Sequence, residues 1–355
     1  MSWRETTLGE ITDLKRGFDL PKSQRLQGDV PVYSSSGITG SNSTAAVEGP
    51  CVITGRYGTI GEVFFSGGPC WPLNTALYST EFNGNNPRFI YYLLQTIPWQ
   101  GYTTASAVPG VNRNHVNLCP VKIPDRATQD AIVEVLDSIV DKIALNNRLN
   151  DYLSQICDAE FTDFVSNQRD ASWHDGTLNE LVEIRYGKDH KKLAEGPYPV
   201  YGSGGFMRSV EKPLSSGESV LIPRKGSLNN VMYVDEKFWT VDTMFFTIPL
   251  KPGAAKYVYQ YTKRLDFGTM NSGSAVPSMT TKILNSLVIP IPSDSALVSF
   301  NKKLQPFFDL FGKNEEENRR LVSLRDILLP KLMSGEIDVS KVDLTQLTNN
   351  HLAGC

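Results

Sequence analysis

Apolar side chains recur at alternating steps of four and three along residues 129–165, at Ile132, Leu136, Ile139, Ile143 and Leu153. That spacing is the seam of a helix built to pack along another helix. A constant offset of 168 finds a second seam at Phe300, Leu304, Phe307, Phe311 and Leu321. Where the first seam turns polar, at Asn146 and Asn150, the second also carries asparagine, at Asn314 and Asn318. The pattern predicts two long helices, over residues 126–168 and 294–335. They lie antiparallel, because the chain runs out along one and returns along the other. Buried, the four asparagines lower stability but fix the register of this coiled coil; the alternative sets them at an exposed edge of the seam. Asp125 or Thr128, and Ser293, Asp294 or Ser295, offer N-caps just after Pro124 and Pro292. Roughly 37 residues at about 1.5 Å each make a rod of about 55 Å. Each end is then expected to carry one globular unit, the two related by a pseudo-twofold axis.

Ahead of each helix the pattern changes to short β-branched and aromatic runs, at residues 51–54, 63–65, 220–222 and 240–248, bounded by Gly, Pro, Asn and Ser. Helices are predicted over 87–95 and, in the counterpart, 255–264. These segments are repeats of one another. Trp3, Leu8, Glu10 and Gly17 face Trp173, Leu178, Glu180 and Gly187 at an offset of 170, and after a two-residue deletion the offset stays at 168. Pro31, Val32, Tyr33, Ser35 and Gly37 match Pro199, Val200, Tyr201, Ser203 and Gly205. Gly49, Val52, Arg56, Gly58 and Val63 match Gly217, Val220, Arg224, Gly226 and Val231, and Trp71 and Thr75 match Trp239 and Thr243. Tyr91 matches Tyr259; Ser106, Val108 and Pro109 match Ser274, Val276 and Pro277; Ile123 and Pro124 match Ile291 and Pro292. The expected fold is α+β: two similar domains, each a twisted, mainly antiparallel sheet plus helices, over 1–125 and 169–293. The spacer helices occupy 126–168 and 294–335, and a polar, frayed tail 336–355.

The chain of 355 residues is long enough for two cores. Five scattered cysteines without a CxxC pair read as reduced thiols of a cytoplasmic protein, and the absence of an apolar run of eighteen residues argues against a membrane span. His115, His174, His190 and His351 are too dispersed for a metal site. The net charge of −3 is unevenly spread. Residues 1–124 hold nine Lys and Arg against eight Asp and Glu, 125–171 four against ten, 172–292 fourteen against eleven, and 293–355 eight against nine. Acidity therefore sits on the helices, and the globular segments are the parts suited to a phosphate backbone.

Two similar units at fixed separation suit a duplex, whose backbone is itself twofold symmetric, and predict a bipartite target. The ending Leu324-Arg-Asp-Ile-Leu-Leu-Pro-Lys-Leu-Met-Ser-Gly-Glu-Ile337 resembles the second spacer region of the specificity subunits of type I restriction-modification systems. Trp3 with Thr7-Leu-Gly-Glu-Ile11, and Val32-Tyr33 with Gly37, resemble the starts of that family's target recognition domains. The first helix departs from the pattern, with Glu160-Phe-Thr-Asp-Phe164 in place of Leu-Pro-Lys-Leu. The resemblance implies a phage-defence DNA-binding subunit with no catalytic residues and no cofactor of its own. Its implied partners are double-stranded DNA, two adenine-N6 methyltransferase subunits using S-adenosylmethionine, and translocating restriction subunits using ATP and Mg. Asp130, Glu134, Asp137 and Asp141, or residues 328–337, are candidates for docking the methyltransferase.

The residues agree with an absence of chemistry. There is no Asn/Asp-Pro-Pro-aromatic run to hold a flipped adenine and no GxxxxGK[ST] loop. For DNA contact the candidates are polar side chains on permissive turns. In the first unit these are Ser34, Ser35 and Ser36, then Arg56 and Tyr57, then Asn112, Arg113 and Asn114. In the second they are Ser203, then Arg224, Lys225, Ser227 and Asn229, then Thr280, Thr281 and Lys282. For the matched Arg56 and Arg224, an internal ion pair bracing the loop is the alternative. Two other function classes remain: a protein-interaction scaffold or regulatory relative that reads no DNA, and a self-contained DNA-modifying enzyme.

Overall fold

The first long helix forms because Asp125 caps it: its carboxylate accepts from the Thr128 N–H at 3.0 Å and the Thr128 hydroxyl at 3.1 Å, which holds that carboxyl below its usual range. The helix then runs unbroken over Arg126–Asn167, and its counterpart, capped by Ser293, over Asp294–Ser334. The computed structural model describes residues 2–103, 110–270 and 278–342. Outside them lie the matched positions 106, 108, 109, 274, 276 and 277, together with His351, Cys355 and the rest of the tail from 343. The backbone divides into two compact units, 1–145 with 317–355, and 146–316, so each unit holds part of both long helices.

In the first unit Trp3–Thr7 pairs antiparallel with Pro120–Pro124, which brings the end of the globular segment back beside its start. Lys15–Arg16, Ala76–Ser79, Cys51–Gly55 and Val63–Ser66 form a four-stranded antiparallel sheet in that order. Gly37–Asn42, Val30–Ser34 and Trp71–Pro72 form a second sheet, whose last pair is parallel. The helix Pro87–Gln95, capped by Asn86, buries Phe89, Ile90, Tyr92, Leu93 and Leu94. They share a core with Ile132 and Leu136 of the first long helix and Leu329, Leu332 and Met333 of the second.

The second unit repeats this down to register. His174–Thr177 pairs with Val288–Ile291, and Ala254–Thr262 takes the place of Pro87–Gln95. Tyr33 opposite Ile38 becomes Tyr201 opposite Phe206, and the parallel pair Val32 with Trp71 becomes Val200 with Trp239. Ile53 opposite Tyr78 becomes Leu221 opposite Phe246. One difference has a clear cause. Met232–Thr240 is continuous and ties six strands into one sheet. At the equivalent of its middle the first unit has Gly67-Gly68-Pro69, which lacks a donor at proline and side chains at the glycines, so strand pairing breaks and two sheets result. Phe161, Phe164 and Phe300 join the two long helices here, with Phe164 and Phe300 stacked at 4.4 Å.

Within each unit the helical segments run antiparallel: Asn150 meets Asn314 while Phe161 and Phe164 meet Phe300, and in the first unit Lys142 pairs with Glu317 at 3.2 Å. Asn146, Asn150, Asn314 and Asn318 are all buried, which removes the exposed-edge alternative. Asn314 Nδ2 donates to Asn150 Oδ1 at 2.7 Å, and Asn150 Nδ2 to Glu315 Oε1 at 3.1 Å.

Three expectations need correction. Residues 240–248 are not one strand, because Val241, Asp242 and Thr243 turn the chain between Met232–Thr240 and Met244–Pro249. Phe311 of the second seam is exposed, although Leu304, Asn314 and Asn318 on either side of it are buried, and Phe308 instead packs on Tyr233 at 4.7 Å. The described start of the tail is not frayed. Gly335, at φ +77°, reverses the chain against the Trp3 ring, and Ile337, Val339 and Val342 pack into the first core.

Candidate nucleic-acid interface

The three candidate segments of each unit, far apart in sequence, meet in space. In the first unit a Cβ at Gly58 would lie 3.3 Å from Ser35 Oγ, Tyr57 bridges to Gly110, and the Val111 N–H donates to the Arg56 carbonyl at 2.9 Å. In the second, Ser203 Oγ would lie 2.5 Å from a Cβ at Gly226, Lys225 bridges to Ser278, and the Met279 N–H donates to the Arg224 carbonyl at 2.9 Å. Both Gly58 and Gly226 have positive φ, +79° and +85°, so glycine suits the backbone angle, and at Gly226 a side chain would also crowd Ser203. Backbone bonds to Thr75 and Thr243 hold the turns: the N–H groups of Arg56 and Tyr57, and of Arg224 and Lys225, donate to those carbonyls at 2.8 to 3.2 Å.

Among the described residues no carboxylate braces the two arginines. The Arg56 guanidinium lies 4.6 Å above the Tyr57 ring, and that of Arg224 lies 5.5 Å from the Tyr186 ring, with one N–H on the Asp242 carbonyl at 3.4 Å. Among the described residues neither forms an ion pair, which removes the internal-pair alternative. Such a guanidinium keeps most of its donors for a ligand.

Other candidates divide by what already engages them. Ser34 Oγ accepts from the Ser36 N–H and shapes the turn. Asn112 caps a short helix, Arg113–Val116, by accepting from the Asn114 N–H at 3.0 Å. Thr280 caps Thr281–Asn285. Asn229 donates to Asp266 at 2.9 Å and accepts from the Gly268 N–H at 3.3 Å, so it braces a neighbouring loop. Arg113, Asn114, Lys225, Ser227 and Lys282 are exposed, with no side-chain hydrogen bond or ion pair among the described residues. Thr281 lies 3.4 Å from the Tyr186 hydroxyl. Tyr186, whose ring lies by Arg224, is not among the candidates read from the sequence. The signal was available, since the 170 offset sets it opposite Arg16, one residue before the matched glycines Gly17 and Gly187.

Two of the acidic docking candidates have internal partners. Asp130 binds Arg126 at 2.8 Å and Asn86 at 2.6 Å; Asp137 accepts from the Tyr92 hydroxyl at 2.6 Å and pairs with Arg88. Glu134 and Asp141 are exposed, and much of 328–337 is core. Among the described residues no cluster of three or more His, Cys, Asp or Glu is placed to hold a metal, and no helix is long and apolar enough to cross a membrane.

Two register-matched α+β units, each offering one cationic, aromatic loop cluster, define a tandem recognition protein. A family model described as type I restriction modification DNA specificity domain matches residues 1–155 and 171–322, and the chain belongs to that family. Among its relatives is the type I restriction enzyme HindI specificity subunit of Haemophilus influenzae, 32% identical over 134 residues, which are 38% of this chain and 25% of that protein. This match therefore spans only a quarter of that relative's length. A putative type I specificity subunit of Mycoplasma pneumoniae is 23% identical over 366 residues, covering 93% of this chain and 96% of the other. The fold is that of a type I restriction-modification S subunit from M. genitalium, with a TM-score of 0.64 at 18% identity over 94% of this chain and 96% of that one.

Proposed function

We propose that this chain is the specificity subunit of a type I restriction-modification complex, reading a bipartite sequence in double-stranded DNA with one half-site per unit. Residues 1–125 and 169–293 are the readers, and 126–168 and 294–335 the spacer helices whose buried asparagines set their register. The readers contact DNA through Ser35, Arg56, Tyr57, Arg113 and Asn114, and through Ser203, Arg224, Lys225, Ser227, Thr281 and Lys282. Methyltransferase subunits dock on the helices and restriction subunits join them; S-adenosylmethionine, ATP and Mg belong to those partners. The observation that carries this reading is the pairing of sameness and difference: two loop clusters share backbone register and a ring-supported arginine, yet carry different side chains around it. A single scaffold that reads two different half-sites needs that combination.

The test is to assemble the complex with its methyltransferase and map the adenines it methylates in genomic DNA. A motif of two short half-sites separated by unread base pairs is expected, with binding that weakens as salt rises because phosphate contacts release counterions. Methylation without a motif, or no DNA binding by the complex, would refute the reading and favour a protein scaffold.

A further inference from the structure

The ring beneath the matched arginine comes from a different place in each unit. In the second unit it is Tyr186, which is 49% exposed, yet fixed edge-on to Phe245 with centroids 5.0 Å apart and its hydroxyl 3.4 Å from Thr281 Oγ1. In the first unit it is Tyr57, and the register position of Tyr186 is held by Arg16: Arg16 stands opposite Leu77 as Tyr186 stands opposite Phe245. The position of Tyr57 is in turn held by Lys225, each bridged to the matching residue, Gly110 or Ser278. Ring and cation have changed places. Each unit keeps one arginine on one ring with one further cation, but the exposed side chain at the upstream position differs in kind.

The chemistry of the two positions separates their roles. Arg56 and Arg224 are alike in residue and turn, and each lies on a tyrosine ring although from a different place, so they suit a contact that both half-sites share. Arg16 and Tyr186 cannot make the same contact. A guanidinium presents a fork of donors that matches guanine O6 and N7, whereas a tyrosine edge presents an apolar flank and one hydroxyl, suited to a thymine methyl or a single acceptor. The Arg16 contact with Asp19, at 3.7 Å between exposed side chains, is too weak to withhold Arg16 from a ligand.

We propose that Arg16 and Tyr186 are specificity-determining residues, the position at which the two half-sites are told apart, while Arg56 and Arg224 make the contact the half-sites have in common. This rests on the chain being a DNA-reading subunit. The experiment uses the assembled complex on duplexes in which each half-site base pair is changed in turn, with methylation rate as readout. Arg16→Gln, at an exposed side chain, should erase about tenfold of discrimination at one base pair of the first half-site and none in the second. Tyr186→Arg should change the preferred base at one position of the second half-site and leave the first alone. Equal loss on every sequence, or unchanged preference in both variants, would overturn the assignment while leaving the bipartite reading intact. A wild-type complex without any half-site preference would overturn both.

Discussion

Arg113 shows what a single loop residue can be asked to do. Asn112 fixes the turn below it, and its own guanidinium stands exposed with no protein acceptor among the described residues. As a base reader, Arg113→Ala should cost about 1–3 kcal/mol of binding and relax one half-site only; binding to duplexes altered in one half-site at a time checks this, and uniform weakening would make Arg113 a phosphate contact instead. Spacing and turn chemistry sufficed to predict that Arg113 stands exposed beside a cap, because exposure on a capped loop is a local property. They did not reveal that the Asn229 side chain is committed to Asp266, 37 positions away, or that Tyr186 meets Arg224 and Thr281 from other strands and turns. Local sequence does not say which distant group will satisfy a side chain.

Elements are held to one another by devices the hydrophobic pattern does not reveal. At one repeat position the first unit has Arg88 and the second Lys256. Arg88 pairs with Asp137 of the first long helix and lies 5.0 Å from the Phe65 ring. Lys256, with no exposed side-chain surface, pairs with Glu218, donates to Asn301 of the second long helix at 3.0 Å, and lies 5.3 Å from the Tyr233 ring. Burial and the Glu218 carboxylate push the Tyr233 hydroxyl up, so it stays a donor to Glu218, at 2.6 Å. Lys256→Met should cost about 3–5 kcal/mol, since it leaves Glu218 without its cation; denaturant unfolding measures it, and a loss below about 1 kcal/mol would show the brace to be dispensable. The asparagine layer behaves oppositely. Asn150→Leu alone should cost about 1–3 kcal/mol by stranding Asn314, whereas changing both to leucine should recover most of that loss. A double-mutant cycle decides it, with additive losses as the contrary result. The helices and strands around these braces were legible because their periods are strong; the split sheet of the first unit was not, although Gly67-Gly68-Pro69 held its cause.

For the whole molecule the duplication was the most legible feature, because two copies of a pattern correct each other's noise: strand register, the parallel pair and even one isolated bridge, Tyr57 with Gly110 and Lys225 with Ser278, repeat at the offset read from the letters. What the letters could not fix is that Phe308 and not Phe311 finds a partner, because that partner is Tyr233 of a distant strand. The proposed function makes these helices a measuring element, and that has a consequence at this scale. Duplicating residues 143–149 in the first helix and 311–317 in the second adds seven residues to each, a whole seam repeat, so the apolar faces stay matched. It lengthens the pair by about 10 Å, or roughly three base pairs at about 3.4 Å per step. Methylation mapping of the altered complex should return the same two half-sites with an unread spacer longer by about three base pairs. An unchanged spacer would mean that something other than the helices sets the distance, and a lost half-site would mean that the insertion had disturbed a reader.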